Sequence, residues 1–301
     1  PTTCRRQRQM CIRDRYPFLA KYPLIERCSM SNGQNLTASE TKSIIETANA
    51  MADAAKKVIL PFFRSKSLVA ENKSFRSFDP VTDADKIAEK AMITELKQRR
   101  PADGVFGEEF GELTGKSSYR WVLDPIDGTR AFIAGAPTWG VLISVEKIGT
   151  GPLFGIIDQP YIGERFFGGL GLAEYQNQDE IIGLKSSKVE EIEDAILLST
   201  FPEIGTEKDR KAFEKVSGKA KLTRYGLDCY GYALVAMGTA DLVIEAGLSI
   251  YDIQAPSCVI EAAGGIVTNW EGKPVANGGR IIAAANANEK LHKSALEQLN
   301  S

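Results

Sequence analysis

The sequence predicts a layered protein of mixed α and β structure, in which an α+β half is followed by an alternating α/β half. Two patterns indicate this class. Before about residue 185, helical spacing of apolar residues gives way to consecutive apolar strands joined by glycine-rich turns, and after it strand and helix patterns alternate. The 301 residues are 43% hydrophobic and 25% charged, which is normal for a globular chain and sufficient to form a core.

The individual elements follow from the spacing of their apolar residues. Spacings of three and four predict helices, and short β-branched or alternating runs predict strands. In the first half we expect helices from Thr37 to about Pro61 and from about Asp83 to Arg100, and strands at Leu68–Asn72, Tyr119–Leu123, Trp139–Ile148 and Gly155–Gln159. In the second half we expect strands at Ala195–Thr200, Asp241–Glu245, Ile266–Trp270 and Arg280–Ala285, and helices at Glu207–Val216, Asp228–Met237, Ile253–Ala263 and Asn288–Asn300.

The N-terminal residues are predicted to lie apart from this fold. Residues 1–30 carry seven basic and two acidic side chains, and Cys4–Arg15 is similar to translated adapter or vector sequence. The apolar run of a secretory signal does not follow the arginines. We therefore expect the native protein to begin at Met30, residues 1–33 to be a non-native or disordered extension, and residues 34–184 and 185–301 to form the two halves.

The composition excludes several classes of protein. His292 is the single histidine, so histidine-rich zinc sites and two-histidine iron sites are excluded, and its position in the last predicted helix favours a structural role. A formal net charge of −2 argues against a nucleic-acid partner. No apolar stretch approaches the ~20 residues that a membrane helix needs, so no membrane association is expected. Five irregularly spaced cysteines predict reduced thiols, which favours a cytoplasmic protein.

Four short segments carry the residues most suited to chemistry. An apolar strand delivers Asp124 at its carboxyl end, where ligands bind in α/β layers. Clustered carboxylates repel one another unless a cation neutralises them, and Mg²⁺ prefers oxygen ligands. Gly128-Thr129 is predicted to begin a helix whose free N–H groups suit a phosphate. Each segment alone could be a turn or a solvated acidic surface. The four segments are Asp79–Asp85, Gly107–Glu109, Asp124–Thr129 and Tyr251-Asp252.

Together, in this order, the segments resemble the signature segments of the inositol monophosphatase family, and the resemblance extends from about Thr37 to the C-terminus. It implies an αβαβα sandwich, a homodimer, and a Mg²⁺-dependent, lithium-sensitive phosphomonoesterase acting on a small phosphorylated metabolite. After Thr129 the chain continues Arg130-Ala131-Phe132-Ile133, which resembles the histidinol-phosphate phosphatase branch. One departure is Ile-Gln-Ala-Pro after Asp252. With Pro256 expected in a first helical turn, we predict an intact metal site beside an altered pocket.

The resemblance implies two to three Mg²⁺ ions and a set of ligands for them. Glu108, Asp124 and the Ile126 carbonyl are expected to bind the first ion. Asp124, Asp127 and Asp252 are expected to bind the second, and Glu108 to bind a third more loosely. Two ions placed this way stabilise the attacking and leaving oxygens of an in-line displacement.

The resemblance also implies the groups that carry out catalysis. A water molecule is the expected nucleophile, deprotonated with help from Glu108 and from Thr129 paired with Asp85. The backbone N–H groups of Gly128 and Thr129 are expected to hold the phosphate. Asp79 and Asp83 are expected to support the metal ligands.

The substrate body is expected to contact Asp228 and Glu245, because the ammonium and imidazole of L-histidinol donate hydrogen bonds to carboxylates. Arg130 is a third candidate, and its alternative is a salt bridge at the surface or a dimer interface. The leading function is hydrolysis of L-histidinol phosphate in histidine biosynthesis. The alternatives are an inositol-1-phosphate or 3′-nucleotide phosphatase, and a non-catalytic protein that binds phosphometabolites or nucleic acid.

Overall fold

The structure is a computed structural model that describes residues 36–66, 70–72, 80–275, 277–285 and 289–301. The predicted start at Met30, the Asp79 carboxylate and the first two residues of the predicted strand Leu68–Asn72 lie outside the described residues. The other three residues of that strand, Ala70–Asn72, do form a strand. The chain divides into two compact units, residues 1–45 and 46–301. Of the first unit, residues 36–45 are described, and the first helix begins there. The sheets, the other helices and the candidate site belong to the second unit. The predicted boundary near residue 185 stays a prediction.

Seven helices and fifteen strands are present in the described residues. The helices are α1 (Ala38–Ile59), α2 (Asp83–Arg99), α3 (Thr129–Ala134), α4 (Glu207–Ser217), α5 (Asp228–Met237), α6 (Ile250–Ala262) and α7 (Lys290–Asn300). The strands are β1 (Ala70–Asn72), β2 (Pro80–Thr82), β3 (Gly104–Gly107), β4 (Gly111–Leu113), β5 (Tyr119–Asp127), β6 (Gly140–Lys147), β7 (Gly151–Gln159), β8 (Glu164–Gly169), β9 (Leu172–Gln176), β10 (Ile181–Gly183), β11 (Ile196–Ser199), β12 (Leu222–Tyr225), β13 (Leu242–Leu248), β14 (Ile266–Asn269) and β15 (Gly279–Ala284).

The strands form two large sheets and one short pair. The larger sheet has eight strands in the order β10-β9-β8-β7-β6-β5-β3-β4, and only its β3–β5 pairing is parallel. The smaller sheet has five strands in the order β12-β11-β13-β15-β14, with β11 parallel to both its neighbours. Strands β1 and β2 pair separately.

Helices α5 and α6 form the middle layer, because both sheets contribute side chains to one core with them. Successive residues of β11 and β13 point to opposite faces of the five-stranded sheet. Leu198 and Val243 therefore join the middle core, and Leu197 and Leu242 join an outer core beneath α4 and α7. The middle core also contains Leu142, Ile157 and Phe166 of the eight-stranded sheet and Val259 and Ile260 of α6.

The other face of the larger sheet is covered by the first helices. Arg165 of β8 donates hydrogen bonds to the side chains of Asn49 and Asp53 in α1, at 2.8 and 2.9 Å. The layers therefore follow the order helix, sheet, helix, sheet, helix, which confirms the predicted αβαβα sandwich. No helix in the described residues has both the length and the apolar character needed to cross a bilayer.

Two local predictions have different outcomes. His292 is buried in α7, and its Nε2 lies 2.7 Å from the Thr268 hydroxyl, so the expected structural role is confirmed. The expected place of Pro256 in a first helical turn is wrong, because α6 begins at Ile250 and puts the proline in its second turn. Proline cannot donate the usual hydrogen bond to the carbonyl four residues before it.

Candidate active site

The carboxyl end of β5 carries two of the predicted carboxylates. Asp124 pairs with Leu142 of β6, whereas Asp127 pairs with Gly140, so β5 contains one extra residue between them. Residues three apart on a regular strand point to opposite faces, and a bulge of one residue corrects this. The bulge therefore turns both carboxylates to the same side, although only two residues separate them.

Asp252 joins these two carboxylates from the first turn of α6. One carboxylate oxygen of each of Asp124, Asp127 and Asp252 lies within 4.8 Å of the others. Asp252 also accepts a hydrogen bond from the Ser249 N–H at 2.7 Å, as the third residue of a capping box. The cap fixes the start of the helix and holds this carboxylate towards β5. The predicted trio is therefore brought together.

Glu108 reaches the cluster from the neighbouring strand. Because β3 runs parallel to β5, Gly107 pairs with Leu123, and the Glu108 N–H donates to the Leu123 carbonyl at 3.2 Å. Glu108 lies within hydrogen-bonding reach of Asp124 and adds its charge to the cluster. The register of two parallel strands thus joins residues that are sixteen positions apart in sequence.

The carboxylates of the cluster carry more negative charge than the surrounding protein groups neutralise. Burial, followed by repulsion from Glu108, Asp127 and Asp252, raises the pKa of Asp124 well above its ordinary range. Burial and the charges of Asp228 and Asp252 similarly raise the pKa of Asp127, although the Cys229 N–H donates to it at 2.6 Å. Clustered carboxylate oxygens that disfavour their own ionisation fit a hard divalent cation, which neutralises them.

The predicted phosphate loop follows the cluster directly. Gly128 has φ 82°, a left-handed conformation, and α3 begins after it. The Thr129 hydroxyl donates to the Ile126 carbonyl at 3.1 Å. The predicted pairing of Thr129 with Asp85 is not formed in the described residues. Asp85 instead accepts from the N–H and hydroxyl of Thr82, at 2.8 and 2.6 Å, because these two residues form the capping box of α2.

Asp228 lies against the phosphate loop. A side-chain carbon built on Gly128 would be 2.7 Å from the Asp228 carboxyl carbon. The Oδ2 atom of Asp228 accepts a hydrogen bond from the Thr138 hydroxyl at 3.2 Å. Burial raises the pKa of Asp228 to about 6, and the charge of Arg130 opposes this shift. The Arg130 guanidinium lies 4.9 Å from the centre of the Phe201 ring. Arg130 is therefore near the loop, as predicted.

Glu245 completes the predicted substrate side. It is 5% exposed and accepts from the Thr200 N–H at 2.5 Å. Burial raises its pKa to about 7, and the nearby charge of Asp228 adds to the shift. The structure therefore brings the two candidate substrate carboxylates close to each other, with Asp228 against the loop. Asp83 is an exposed residue at the start of α2 and does not join the cluster.

Tyr232 is a site residue that the sequence reasoning missed. Its hydroxyl is buried and has no hydrogen-bond partner in the part of the chain that the structure describes. Its pKa is raised by burial and by the charges of Glu245, Asp127 and Asp252, so it is near both the candidate substrate carboxylates and the metal cluster. A spacing of four residues from Asp228 places both on one face of α5, which is a signal that the sequence contains.

Carboxylates gathered at a strand end in a layered fold point to the class of phosphatases that work with metal ions. Within that class, the chain belongs to the inositol monophosphatase family, whose sequence profile matches residues 40–301. It is accordingly a phosphoric monoester hydrolase of this family, acting on small phosphorylated substrates. The family predicted from the four segments is confirmed.

Individual relatives agree with this assignment. The chain is 39% identical to the bifunctional phosphatase IMPL2, chloroplastic, of Arabidopsis thaliana, over 90% of this chain and 79% of that protein. It is 33% identical to a histidinol-phosphatase of Streptomyces coelicolor, over 85% of this chain and 96% of that protein. The structure is similar to an inositol monophosphatase from Zymomonas mobilis, with a TM-score of 0.75, 38% identity, and coverage of 86% of this chain and 98% of that one.

Proposed function

We propose that the chain hydrolyses L-histidinol phosphate to L-histidinol and phosphate, with Mg²⁺ as its cofactor. The observation that carries this proposal is a pair of neighbouring carboxylates: Asp228, which is partly buried and lies against the phosphate loop, and Glu245, which is buried beside Asp228. Their raised pKa values, about 6 and about 7, reflect charge that burial leaves poorly compensated. The ammonium and imidazole of L-histidinol supply positive charge and hydrogen-bond donors to such a pair. The similarity to histidinol-phosphatases supports the same substrate.

The metal ligands in this proposal are Glu108, Asp124, Asp127, Asp252 and the Ile126 carbonyl. A bound divalent cation supplies Lewis acidity to the phosphate ester and lowers the pKa of water. The carboxylates hold the cation and lose their mutual repulsion when it binds. We propose that two to three ions bind at these ligands.

The remaining residues position the phosphate and accept a proton. The N–H groups of Gly128 and Thr129 orient the phosphate at the start of α3. Asp85 accepts a hydrogen bond from Thr82, and the Thr129 hydroxyl donates one to the Ile126 carbonyl, so Asp85 and Thr129 do not pair with each other. We therefore assign to Glu108 the role of accepting a proton from the attacking water. Arg130 adds positive charge on the substrate side of the loop.

A second candidate is hydrolysis of inositol 1-phosphate. It is favoured by the similarity to the inositol monophosphatase of Zymomonas mobilis. The hydroxyl groups of inositol also donate hydrogen bonds to carboxylates, so Asp228 and Glu245 do not exclude it. The metal cluster and the phosphate loop would act in the same way on either substrate.

The experiment compares phosphate release from L-histidinol phosphate, myo-inositol 1-phosphate and 3′-phosphoadenosine 5′-phosphate, each with Mg²⁺ and with EDTA. We expect the highest kcat/KM for L-histidinol phosphate, and loss of all turnover in EDTA. Mg²⁺-dependent turnover that favours another substrate would retain the metal centre and contradict the substrate. No turnover of any of the three would favour a non-catalytic binding protein.

We also propose that the protein is a homodimer, is inhibited by lithium and acts in the cytoplasm as part of histidine biosynthesis. Sedimentation velocity tests the homodimer, and a single monomeric species at micromolar concentration would contradict it. Inhibition by Li⁺ but not by K⁺ at equal concentration tests the lithium sensitivity.

A further inference from the structure

Glu89 is a fully buried carboxylate of α2 that lies beneath the turn after β3. It is 0% exposed, and its two oxygens accept hydrogen bonds from the N–H groups of Glu109, at 2.8 Å, and Phe110, at 3.0 Å. These are the two residues that follow Glu108. One side chain of a helix therefore fixes the backbone of the turn that presents a metal ligand.

Gly107 leaves the space that this carboxylate occupies. A side-chain carbon built on Gly107 would lie 1.8 Å from the Glu89 Oε1 atom and 2.4 Å from its Cδ atom. The backbone of Gly107 is not in the left-handed region, so an alanine there is compatible with the backbone conformation. The glycine is needed for the approach of the carboxylate, and the flexible end of Glu89 is the group that an added methyl would displace.

We propose that Glu89 is a positioning residue that holds the turn after Gly107 and thereby keeps Glu108 in place to bind the cation. The inference rests on the proposed metal-dependent function. Carboxylates that hydrogen-bond around a metal ligand fix its orientation, and their loss typically weakens metal binding by roughly 10- to 100-fold. In Glu89→Gln the amide group can accept only one of the two N–H bonds, because its nitrogen is a donor.

Two substitutions distinguish the effect of the position of the Glu89 carboxylate from the effect of its charge. Glu89→Gln removes a hydrogen bond and a charge, whereas Gly107→Ala retains the charge and displaces the carboxylate. Both are expected to weaken Mn²⁺ binding by roughly 10- to 100-fold, measured by the electron paramagnetic resonance of free Mn²⁺ and by competition with Mg²⁺. Glu95→Gln is the matched control, since Glu95 lies on the same helix, is partly exposed and pairs with Arg99 at 2.7 Å. Its Mn²⁺ affinity is expected to match that of the unaltered chain.

A double-mutant cycle tests the contact itself. Once Glu89→Ala has removed the carboxylate, adding Gly107→Ala should cause no further loss of Mn²⁺ affinity and almost no further loss of unfolding free energy. Circular dichroism establishes that each variant is folded at the temperature of the binding measurement. A purely structural role would lower the melting temperature and leave Mn²⁺ affinity unchanged.

The outcomes distinguish this inference from the proposed function. If the unaltered chain binds Mn²⁺ and the folded Glu89→Gln and Gly107→Ala variants bind it equally well, the role of Glu89 is overturned and the metal centre remains. Additive effects of the two substitutions would also overturn it. If the folded, unaltered chain binds neither Mn²⁺ nor Mg²⁺, the proposed function is overturned and the role of Glu89 with it.

Discussion

Asp124 is the residue on which the metal cluster depends most. It is 2% exposed, is surrounded by three other carboxylates, and accepts from the Ile126 N–H at 3.0 Å. An asparagine oxygen can accept the same bond, so Asp124→Asn should fold. Loss of a charged ligand removes several kcal/mol of transition-state stabilisation, so we expect kcat/KM to fall by about 10³-fold or more. Phosphate release at saturating Mg²⁺ measures this.

The control for this substitution is Asp179→Asn, an exposed aspartate between β9 and β10. We expect it to leave kcat/KM within about twofold, because isolated surface substitutions have small effects. An Asp124→Asn variant that keeps a tenth or more of the activity would contradict the central place of Asp124 among the ligands.

The grouping of metal ligands was predicted through the resemblance, whereas a pairing for which another residue competes was not predicted correctly. Asp124, Asp127 and Asp252, which the resemblance grouped, lie together. The pairing of Thr129 with Asp85 failed because Thr82, three residues before Asp85, takes that carboxylate in a capping box. The spacing Thr-x-x-Asp at a helix start was readable from the sequence and indicates this competitor.

At the scale of elements, a buried polar contact anchors α6 on the larger sheet. Gln254, 6% exposed, accepts from the Ser144 hydroxyl and donates to the Glu146 carboxylate, both at 2.7 Å. Glu146 also pairs with Arg120 at 2.5 Å. Because Asp252 lies two residues before Gln254, this contact helps to fix the carboxylate that α6 contributes to the metal cluster.

Gln254→Leu should therefore affect both stability and metal binding. It leaves two buried polar groups without this partner, and each such loss costs about 1–3 kcal/mol of unfolding free energy. We expect urea unfolding to show a destabilisation of that order, together with weaker Mn²⁺ binding. Gln178→Leu, in the exposed turn between β9 and β10, is the control, and it should change neither quantity. Unchanged stability of Gln254→Leu would contradict the anchoring role.

Elements with strong periodicity were predicted closely, and short ones were not. The predicted helix from about Asp83 to Arg100 is α2, Asp83–Arg99, and the predicted strand Trp139–Ile148 contains β6, Gly140–Lys147. Strands β4, β9 and β12 have three to five residues each, which gives no measurable alternation. The bulge in β5 was also not predictable, because it depends on how β5 pairs with β6.

At the scale of the whole molecule, the uncompensated carboxylates make stability depend on pH. Burial raises the pKa of Asp85 and Asp228 to about 6 and of Glu89 and Glu245 to about 7. A carboxyl group whose pKa is higher in the folded than in the unfolded state stabilises the fold fully when the pH is below its unfolded-state pKa. This stabilisation is lost as the pH rises through its folded-state pKa. His292, whose pKa is lowered by burial, acts in the opposite direction below about 6.5.

Among these groups, four carboxyl groups lower the stability as the pH rises, and only His292 raises it. The metal-free protein should therefore lose stability from pH 5 to pH 8. A shift of one pKa unit corresponds to about 1.4 kcal/mol, so we expect a fall in Tm of about 5 °C or more. Mg²⁺ should raise Tm more at pH 8 than at pH 5. Thermal unfolding at fixed ionic strength, in EDTA and in Mg²⁺, measures both effects. A Tm that rises with pH in EDTA would contradict the electrostatics of the site.

Periodicity predicted the alternation of strands and helices after about residue 185, and the resemblance to the family implied the five-layer order. The order of strands within each sheet was not predicted, since it depends on contacts between distant segments. The parallel pairing of β3 with β5, which brings Glu108 to Asp124, is one such contact. The resemblance supplied this proximity where periodicity could not.

The most direct test of the account is the substrate preference of the unaltered chain and of Asp228→Asn. Asparagine tolerates the left-handed backbone of Asp228, φ 49°, so the substitution changes charge without straining the loop. Loss of a charged hydrogen bond predicts a kcat/KM for L-histidinol phosphate that is about 10- to 100-fold lower. The loss for myo-inositol 1-phosphate should be clearly smaller, because the asparagine oxygen can still accept a hydrogen bond from a neutral hydroxyl group. Equal losses on both substrates, or a preference of the unaltered chain for myo-inositol 1-phosphate, would contradict the account.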